Sequence, residues 1–326
     1  MTGKTGDGGD RLTVHDLPRR TVLKAGGGAA ALTLGARTVS GSTGSGTSEQ
    51  FSPGTFVDPV FGLPSLGPNP CAGDGHDDTD DTDDTDDCLD AFPDLVRPAA
   101  KVGMHTDLPE AALAVAEAGG LSAETTAAVN EAVADGSLEG DDIPDGGPMV
   151  GGEQIPVAAV AQSLVDTVGF HFDPAGLRLE PGDVVLFNAV APDHGVAVYH
   201  EGHGRQNRVP DGVGPMASPL VPVGGYWLAR FETEGVYDLY CPAHQTLGMA
   251  GRFVVWDGSG DVPALDVENT GRPPQPENVI PAILGGLDPN LPSSAEVLAS
   301  GPLAPQHIVD EGSVSWEAVV EAHRTT

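Results

Sequence analysis

Apolar and polar residues alternate with a period of two along much of the segment from about residue 157 to residue 256. This alternation is typical of half-buried β-strands separated by turns. The clearest runs are residues 177–188 (LRLEPGDVVLFN), 225–240 (GYWLARFETEGVYDLY) and 251–256 (GRFVVW). We therefore predict a strand-rich domain over residues 157–257.

Two alanine-rich segments ahead of this domain have the composition and end signals of helices. Residues 107–110 (DLPE) resemble a capping box, with proline in the first turn, ahead of a helix over 111–118. Ser122 can cap a second helix over residues 123–134, and Gly136 can end it. Because both helices lack large apolar residues, we expect the hairpin to pack on the strand-rich domain.

The chain after the strand-rich domain is rich in proline. Residues 257–312 predict a largely irregular extension that wraps the domain and does not form another one. The segment 313–322 (SVSWEAVVEA) predicts a short terminal helix with Trp316 and Val319 on one side. We assign residues 258–326 to this C-terminal extension.

The charge balance is strongly acidic. The chain carries 48 acidic and 15 basic residues, for a net charge of -33, and only three of the basic residues are lysine. Such self-repulsion is reduced by high salt, and acid-rich, lysine-poor sequences resemble those of extreme halophiles. The charge also argues against nucleic acid and anionic lipid as partners.

The N-terminal segment, residues 1–37, resembles a twin-arginine export signal. Arg19 and Arg20 precede an apolar run over residues 25–36, which is too short and small-sided for a typical membrane span. We therefore expect export, with the protein extracellular or on the outer face of the cell membrane. Cleavage of the signal and its retention as a weak anchor are both compatible with the sequence.

A flexible linker over residues 38–70 leads into an acidic loop and helical hairpin region over residues 71–156. Cys71 and Cys88 bracket an Asp run over residues 74–87, and two cysteines enclosing a loop in an exported protein predict a disulfide. The Asp run can be read as a calcium site, since hard cations take oxygen ligands. It lacks the glycine and final glutamate of an EF-hand loop, and a solvated acidic loop is the favoured interpretation.

Four residues carry the chemistry of the strand-rich domain. Cys241, His244 and Met249 form a Cys-x-x-His-x-x-x-x-Met motif, and His194 lies upstream in Pro-Asp-His-Gly-Val. One thiolate and two imidazoles suit copper in a trigonal plane, with a thioether as a weak axial ligand. A single Cys, His or Met in an apolar stretch is usually a core residue, but all four together at strand ends predict one copper ion held in a type 1 site.

The segments around these residues resemble the plastocyanin/halocyanin branch of the cupredoxin family. The resemblance covers roughly residues 160–257 and rests on the four candidate ligands and on the segments 177–188, 193–199, 225–240 and 251–256. It implies a mainly β fold, a Greek-key β-sandwich of about eight strands with the metal at one end. The sequence departs from the plant-type pattern at Gly195 and Ala243, where that pattern has asparagine and proline.

The resemblance implies one-electron transfer between Cu(II) and Cu(I), by an electron carrier and not by an enzyme. Met249 would tune the potential, and the edge of His244 would be the electron port. The rim that docks a redox protein would then include Pro192, Leu247 and Ala250. Components of a membrane electron-transport chain are the expected partners, and no small-molecule substrate is expected.

Two other classes of protein use related sites. Copper nitrite reductases and multicopper oxidases need a second copper centre, and this chain has no His-x-His pair. Copper storage or delivery proteins favour open sites rich in Met, His or Cys-Cys pairs, and methionine is scarce here. A redox-enzyme subunit and a copper storage or delivery protein remain the alternatives to an electron carrier.

The other histidines show no clear metal pattern. His171 lies on the predicted first strand, where a partly buried, hydrogen-bonded ring is the ordinary case. His200 and His203 are spaced like a metal pair, although a strand end and loop fit them better. His105 and His307 show no partner by spacing.

Overall fold

The computed structural model describes residues 63–64, 69–72, 85–137, 146–166 and 169–325, without the side chains of 63–64 and 85–87. The export signal, most of the linker and the Asp run with its candidate calcium site lie outside the described residues. Within those residues, no helix is long and apolar enough to cross a membrane.

Two five-stranded sheets form a β-sandwich. The first sheet has the strand order β1-β9-β7-β2-β5 and the second has the order β12-β6-β11-β10-β8, and each sheet mixes parallel and antiparallel pairs. The strands of the first sheet are β1 (Leu63–Pro64), β2 (Ala100–Asp107), β5 (Gly169–Asp173), β7 (Asp183–Ala189) and β9 (Tyr226–Phe231). Those of the second are β6 (Gly176–Leu179), β8 (Ala197–Val198), β10 (Gly235–Tyr240), β11 (Ala250–Val255) and β12 (Ser313–Val314). A small separate hairpin pairs β3 (Met149–Val150) with β4 (Glu153–Gln154).

The core between the sheets is aromatic. The Phe187 ring on β7 stacks on the Phe253 ring of β11, with ring centroids 6.0 Å apart, and it meets Phe172 of β5 edge-on. All three side chains are buried. Full burial of one such side chain stabilises the fold by roughly 1.5–3 kcal/mol, so this cluster fixes how the two sheets face each other.

Helices lie both before and after the main sandwich strands in the sequence. Those before the sandwich strands β5 to β11 are α1 (Thr85–Asp90), α2 (Glu110–Glu117), α3 (Ala123–Asp135) and α4 (Val157–Asp166). Those after them are α5 (Ile280–Ile283), α6 (Ser294–Ala299), α7 (Pro305–Glu311) and α8 (Trp316–Arg324).

The predicted helical hairpin is confirmed as α2 and α3. The Ser122 hydroxyl accepts a hydrogen bond from the Thr125 N–H at the start of α3, and Gly136 ends that helix in the left-handed conformation. The predicted capping box of α2 is wrong, because Pro109 occupies the cap position and makes no side-chain hydrogen bond there. The terminal helix α8 is confirmed in outline, with Trp316, Val319 and Val320 buried.

The first sheet includes a strand that the sequence analysis placed in a helical region. β2 lies between β7, to which it is parallel, and β5, to which it is antiparallel. Its Val102 and Met104 side chains are fully buried. Because the residues paired with β2 lie 62 or more positions downstream in sequence, no local pattern identifies it as a central strand.

Two further expectations differ from the structure. Residues 157–166 form helix α4 and not a strand, since Val157, Val160, Ala161 and Leu164 repeat at helical spacing and are buried on one face. The first strand of the predicted domain therefore begins at Gly169. The extension over 257–312 is not irregular throughout, because α5, α6 and α7 lie within it.

The predicted disulfide is present between Cys71 and Cys88. Cys71 is buried in a small second core with Phe92, Val184 and Leu228, on the outer side of the first sheet. The disulfide thus links the segment at residues 69–72 to helix α1 (Thr85–Asp90).

Candidate metal centre

Four side chains meet at one end of the sandwich, on segments that connect its strands. His194 follows β7 and pairs with Val221 through a single β-bridge, in which the Val221 N–H donates to the His194 carbonyl at 2.6 Å. Cys241 comes directly after β10, and Met249 directly precedes β11. His244 lies between them, so three of the four residues share one nine-residue loop.

Backbone hydrogen bonds hold that loop closed. The Cys241 N–H donates to the Met249 carbonyl at 3.2 Å, and the Met249 N–H donates to the His244 carbonyl at 3.3 Å. The Gln245 N–H donates to the Cys241 carbonyl at 3.0 Å. The positions of the three side chains are therefore fixed by the loop itself.

A buried ion pair holds together the two strands that carry the loop. Asp238 on β10 accepts from Arg252 Nε on β11 at 2.6 Å and from Arg208 Nε at 2.6 Å, and its side chain is fully buried. Loss of one partner would leave an uncompensated buried charge, which costs roughly 3–5 kcal/mol. The two anchors of the loop are thus rigidly connected three residues from each end.

The nitrogen and sulfur donors lie close enough to share one ion. Nδ1 of His194 lies 3.2 Å from Nδ1 of His244, and Cys241 Sγ lies 4.0 Å and 3.5 Å from these two nitrogens. A trigonal ion with bonds of about 2.0 Å to nitrogen and about 2.3 Å to sulfur places its donors about 3.5–3.7 Å apart. The three donors therefore fit one transition-metal ion with little movement.

The thioether lies beside this plane of donors. Met249 Sδ is 3.2 Å from His194 Nδ1, and the Met249 side chain is fully buried. A set of one thiolate, two imidazoles and one thioether selects copper over zinc or the hard cations. The residues present thus fit copper by donor type as well as by spacing.

Burial keeps both imidazoles neutral. Desolvation, followed by the neighbouring His244 and His105 rings, lowers the pKa of His194 to about 3. Desolvation also lowers the pKa of His244 to about 4, although the Asp193 carboxylate acts in the opposite direction. Both rings are therefore unprotonated at neutral pH, as metal ligands must be.

Burial acts on the thiol in the opposite sense and raises the pKa of Cys241. The Gly195 N–H donates to Cys241 Sγ at 3.5 Å, and the backbone N–H groups of Gly195, Ala243 and His244 all lower that pKa. Hydrogen bonds of this kind stabilise a thiolate, so the backbone favours the anionic sulfur that binds a metal. Ala243 contributes because it retains the N–H that a proline would lack.

Two contacts to the site come from residues that the sequence analysis did not connect with it. The Thr106 hydroxyl on β2 lies 2.9 Å from His194 Nε2. The Phe170 ring on β5 packs on the His244 ring at a centroid distance of 4.5 Å. No motif marks either residue, and their roles depend on the pairing of β2 with β5 and β7.

The C-terminal extension packs directly on residues 241–249, the candidate metal-binding loop. Asn278 Nδ2 donates to the Leu247 carbonyl at 3.4 Å and to the Pro292 carbonyl at 3.0 Å, and the Val279 N–H donates to the Thr246 carbonyl at 2.9 Å. A side chain at Gly248 would collide with the Pro292 carbonyl. The extension and the loop are therefore in tight backbone contact.

This contact changes the surface around the site. Leu247 is 8% exposed and Ala250 is fully buried, so neither can belong to a docking rim as the sequence analysis expected. Pro192 is exposed, as are Pro242 and Ala243 beside the half-buried His244. The accessible side of the site is thus the one formed by these three residues and the edge of His244.

Comparisons with known proteins point to one kind of domain. Pseudoazurin of Methylorubrum extorquens is 34% identical over 86 residues, which are 26% of this chain and 52% of that protein. The chain therefore matches about half of this relative's length. No protein-family model matches the chain.

Solved structures of pseudoazurin and of amicyanin also match part of this chain, with low TM-scores. Pseudoazurin from Methylobacterium extorquens AM1 matches at 31% identity over 27% of this chain and 65% of that chain, with a TM-score of 0.24. A reduced Cu(I) form of amicyanin matches at 21% identity over 26% of this chain and 73% of that chain, with a TM-score of 0.21. The sequence match to pseudoazurin supports a cupredoxin-type domain within this chain.

Proposed function

We propose that this protein is an exported electron carrier that holds one copper ion in a type 1 site. His194, Cys241, His244 and Met249 are its ligands. The observation that carries the proposal is the convergence of three donor atoms at separations of 3.2, 3.5 and 4.0 Å, with the Met249 sulfur beside them. Similarity to pseudoazurin supports it.

The four proposed ligands have different roles. Cys241 would hold the ion through its thiolate, and His194 and His244 would hold it through their Nδ1 atoms. Met249 would add a weak thioether donor that adjusts the relative stability of the two oxidation states. When bound, copper supplies a one-electron Cu(II)/Cu(I) couple.

The surrounding protein would hold the donor atoms in place when a bound ion gains or loses an electron. The loop hydrogen bonds, the buried Asp238–Arg252 pair and the C-terminal extension all restrain the donors. Donors that barely move between two oxidation states allow electron transfer with little reorganisation. This rigidity favours an electron carrier over an open storage or delivery site.

Electrons enter and leave at the edge of His244. This ring is half-buried and lies beside the exposed Pro242 and Ala243, whereas Leu247 and Met249 are covered. A redox protein docks on this side, and components of a membrane electron-transport chain are the proposed class. The net charge of -33 and the segment that resembles a twin-arginine signal support the proposal of an exported protein in a high-salt environment.

Copper loading of the purified full chain tests the proposal. The oxidised protein is expected to bind copper at the His/Cys/His/Met site with an intense visible thiolate-to-copper band. Cys241→Ser is expected to remove the band, because a serine oxygen is not the charge-transfer donor. Cys71 and Cys88 are paired with each other, so the remaining thiol is Cys241. A colourless copper-loaded wild type would refute the proposal.

A further inference from the structure

We propose that His105, Asp107 and His171 form a second metal site, for a divalent first-row transition ion such as Zn²⁺ or Fe²⁺. One ring nitrogen from each histidine and one carboxylate oxygen lie within 4.8 Å of one another. This cluster is separate from the His194, Cys241 and His244 cluster and shares no residue with it.

Strand register brings the three residues together. His105 on β2 is paired directly with His171 on β5, and Asp107 is paired with Gly169 two positions along. Because side chains on a strand alternate between faces, His105 and Asp107 project from the same face of the sheet. Thr106, between them, projects from the other face and contacts His194. The second site therefore lies across the sheet from the first.

The donor chemistry selects the class of ion. Two imidazoles and one carboxylate are a ligand set of non-haem iron and zinc sites, and they leave further positions open. Calcium and magnesium prefer oxygen donors alone, so they are not the expected ligands. The absence of a thiolate or thioether from the three residues also separates this site from the copper site.

The surroundings of the cluster are packed on the histidine side and open on the carboxylate side. A side chain at Gly103 would collide with Nε2 of His105, so the glycine leaves room for that ring. The His105 and His171 rings stack at 4.8 Å, and the Trp316 ring stacks on the other side of His171 at 5.4 Å. Asp107 is exposed, whereas both histidines are buried. An ion can therefore approach the two buried histidines from the side of Asp107.

Binding requires the donors to rearrange. Ligand atoms at about 2.0–2.2 Å from one ion lie about 3 Å apart, which is closer than the 4.8 Å limit within which these donors are found. The two imidazole rings are parallel within 8°, so they must turn out of their stack for a nitrogen of each to face one ion, and the exposed Asp107 carboxylate must move toward them. The bound ion would connect β2 to β5 and stabilise the insertion of β2 into the sheet.

Zinc titration of the copper-loaded full chain tests this site. The measurement is the number of zinc ions per chain by calorimetry and native mass spectrometry, with excess calcium present to occupy sites made of oxygen donors alone. We expect one zinc ion per chain and a raised melting temperature, since a ligand that binds only the folded state stabilises it. Asp107→Asn and His171→Gln are expected to weaken zinc binding at least tenfold.

Two control variants make the result specific. Asp211→Asn and His307→Gln change an exposed carboxylate and an exposed imidazole elsewhere, and both are expected to bind zinc as the wild type does. The visible copper band should persist in Asp107→Asn, which separates failure of this site from failure of the copper proposal. If the copper-loaded wild type takes up no zinc, or if Asp107→Asn and His171→Gln both bind zinc as tightly as the wild type, the second site is refuted.

Discussion

The Thr106 hydroxyl lies 2.9 Å from His194 Nε2, on the side of the ring opposite the Nδ1 that faces the other donors. A hydrogen bond at Nε2 fixes the orientation of the imidazole and favours the tautomer whose Nδ1 carries a free lone pair. A residue on β2, outside the region that resembles a cupredoxin, thus orients a proposed copper ligand.

Thr106→Val tests this contribution, because valine keeps the shape of threonine and loses the hydroxyl. We expect copper affinity to fall by about 10- to 100-fold, as is typical for loss of such a supporting hydrogen bond. The visible band should remain, since all four ligands are intact. Competition with a copper chelator measures the affinity. Thr246→Val, at an exposed position on the metal-binding loop, is the control and should bind copper normally. Equal affinity in Thr106→Val would contradict this role of the hydroxyl.

Met249→Leu tests the axial thioether. Loss of this weak donor disfavours Cu(II), so we expect the reduction potential to rise while the visible band is retained. Voltammetry of the copper-loaded protein gives the potential. Met216→Leu is the matched control, because Met216 is also buried and is not one of the four proposed ligands. A potential that stays the same in Met249→Leu would show that the thioether is not a ligand.

The lowered histidine pKa values predict how the metal-free protein responds to acid. His194 and His244 have folded-state pKa values of about 3 and about 4, below the ordinary value of 6.5. Between pH 6.5 and pH 4, the unfolded chain binds more protons than the folded chain. The free energy of unfolding therefore falls as the pH falls through this range. We expect a loss on the order of 1 kcal/mol per pH unit, measured by urea unfolding.

The double variant His194→Gln/His244→Gln provides the comparison for the acid response. Its free energy of unfolding should depend less steeply on pH over the same range, because neither glutamine titrates. The same slope in both proteins would mean that other groups account for the acid response.

Asn278→Ala tests the contact between the extension and the metal-binding loop. The Asn278 amide bonds the carbonyls of Leu247, Leu291 and Pro292, so its loss should loosen the loop and speed release of copper to a chelator. We expect a cost in stability of about 1–3 kcal/mol, because buried carbonyls lose their partner.

Asn130→Ala is the matched control for that experiment. Asn130 also bonds the extension, donating to the Gly286 carbonyl and accepting from the Asp288 N–H, but it lies on α3. The Asn130→Ala variant should be less stable than the wild type but should release copper at the same rate. Equal release rates in Asn278→Ala and Asn130→Ala would show that the extension does not restrain the metal site.

The net charge of -33 predicts a strong dependence on salt. Excess negative charges repel each other once the screening length grows from about 3 Å at 1 M salt to about 30 Å at 0.01 M salt. The melting temperature of the copper-loaded protein should therefore fall steeply on dilution from molar to millimolar sodium chloride. A flat profile would argue against adaptation to high salt.

The sequence by itself determined those features that depend on residues close together in the chain. The ligand loop from Cys241 to Met249 is one such feature, because its spacing and donor types are local. The caps of α3 at Ser122 and Gly136 are another. The strands β6, β7, β9, β10 and β11 could also be predicted, since each lies in its own short alternating or apolar run next to turn residues.

Only the tertiary structure decided which distant segments meet. The insertion of β2 beside β5 and β7 gives Thr106 its contact with His194 and pairs His105 with His171. The extension covers Leu247 through contacts between residues 31 and 33 positions apart, Asn278 with Leu247 and Val279 with Thr246. Strand register and loop packing depend on the free energy of burying whole surfaces against each other, and a local pattern does not record which surface is the partner.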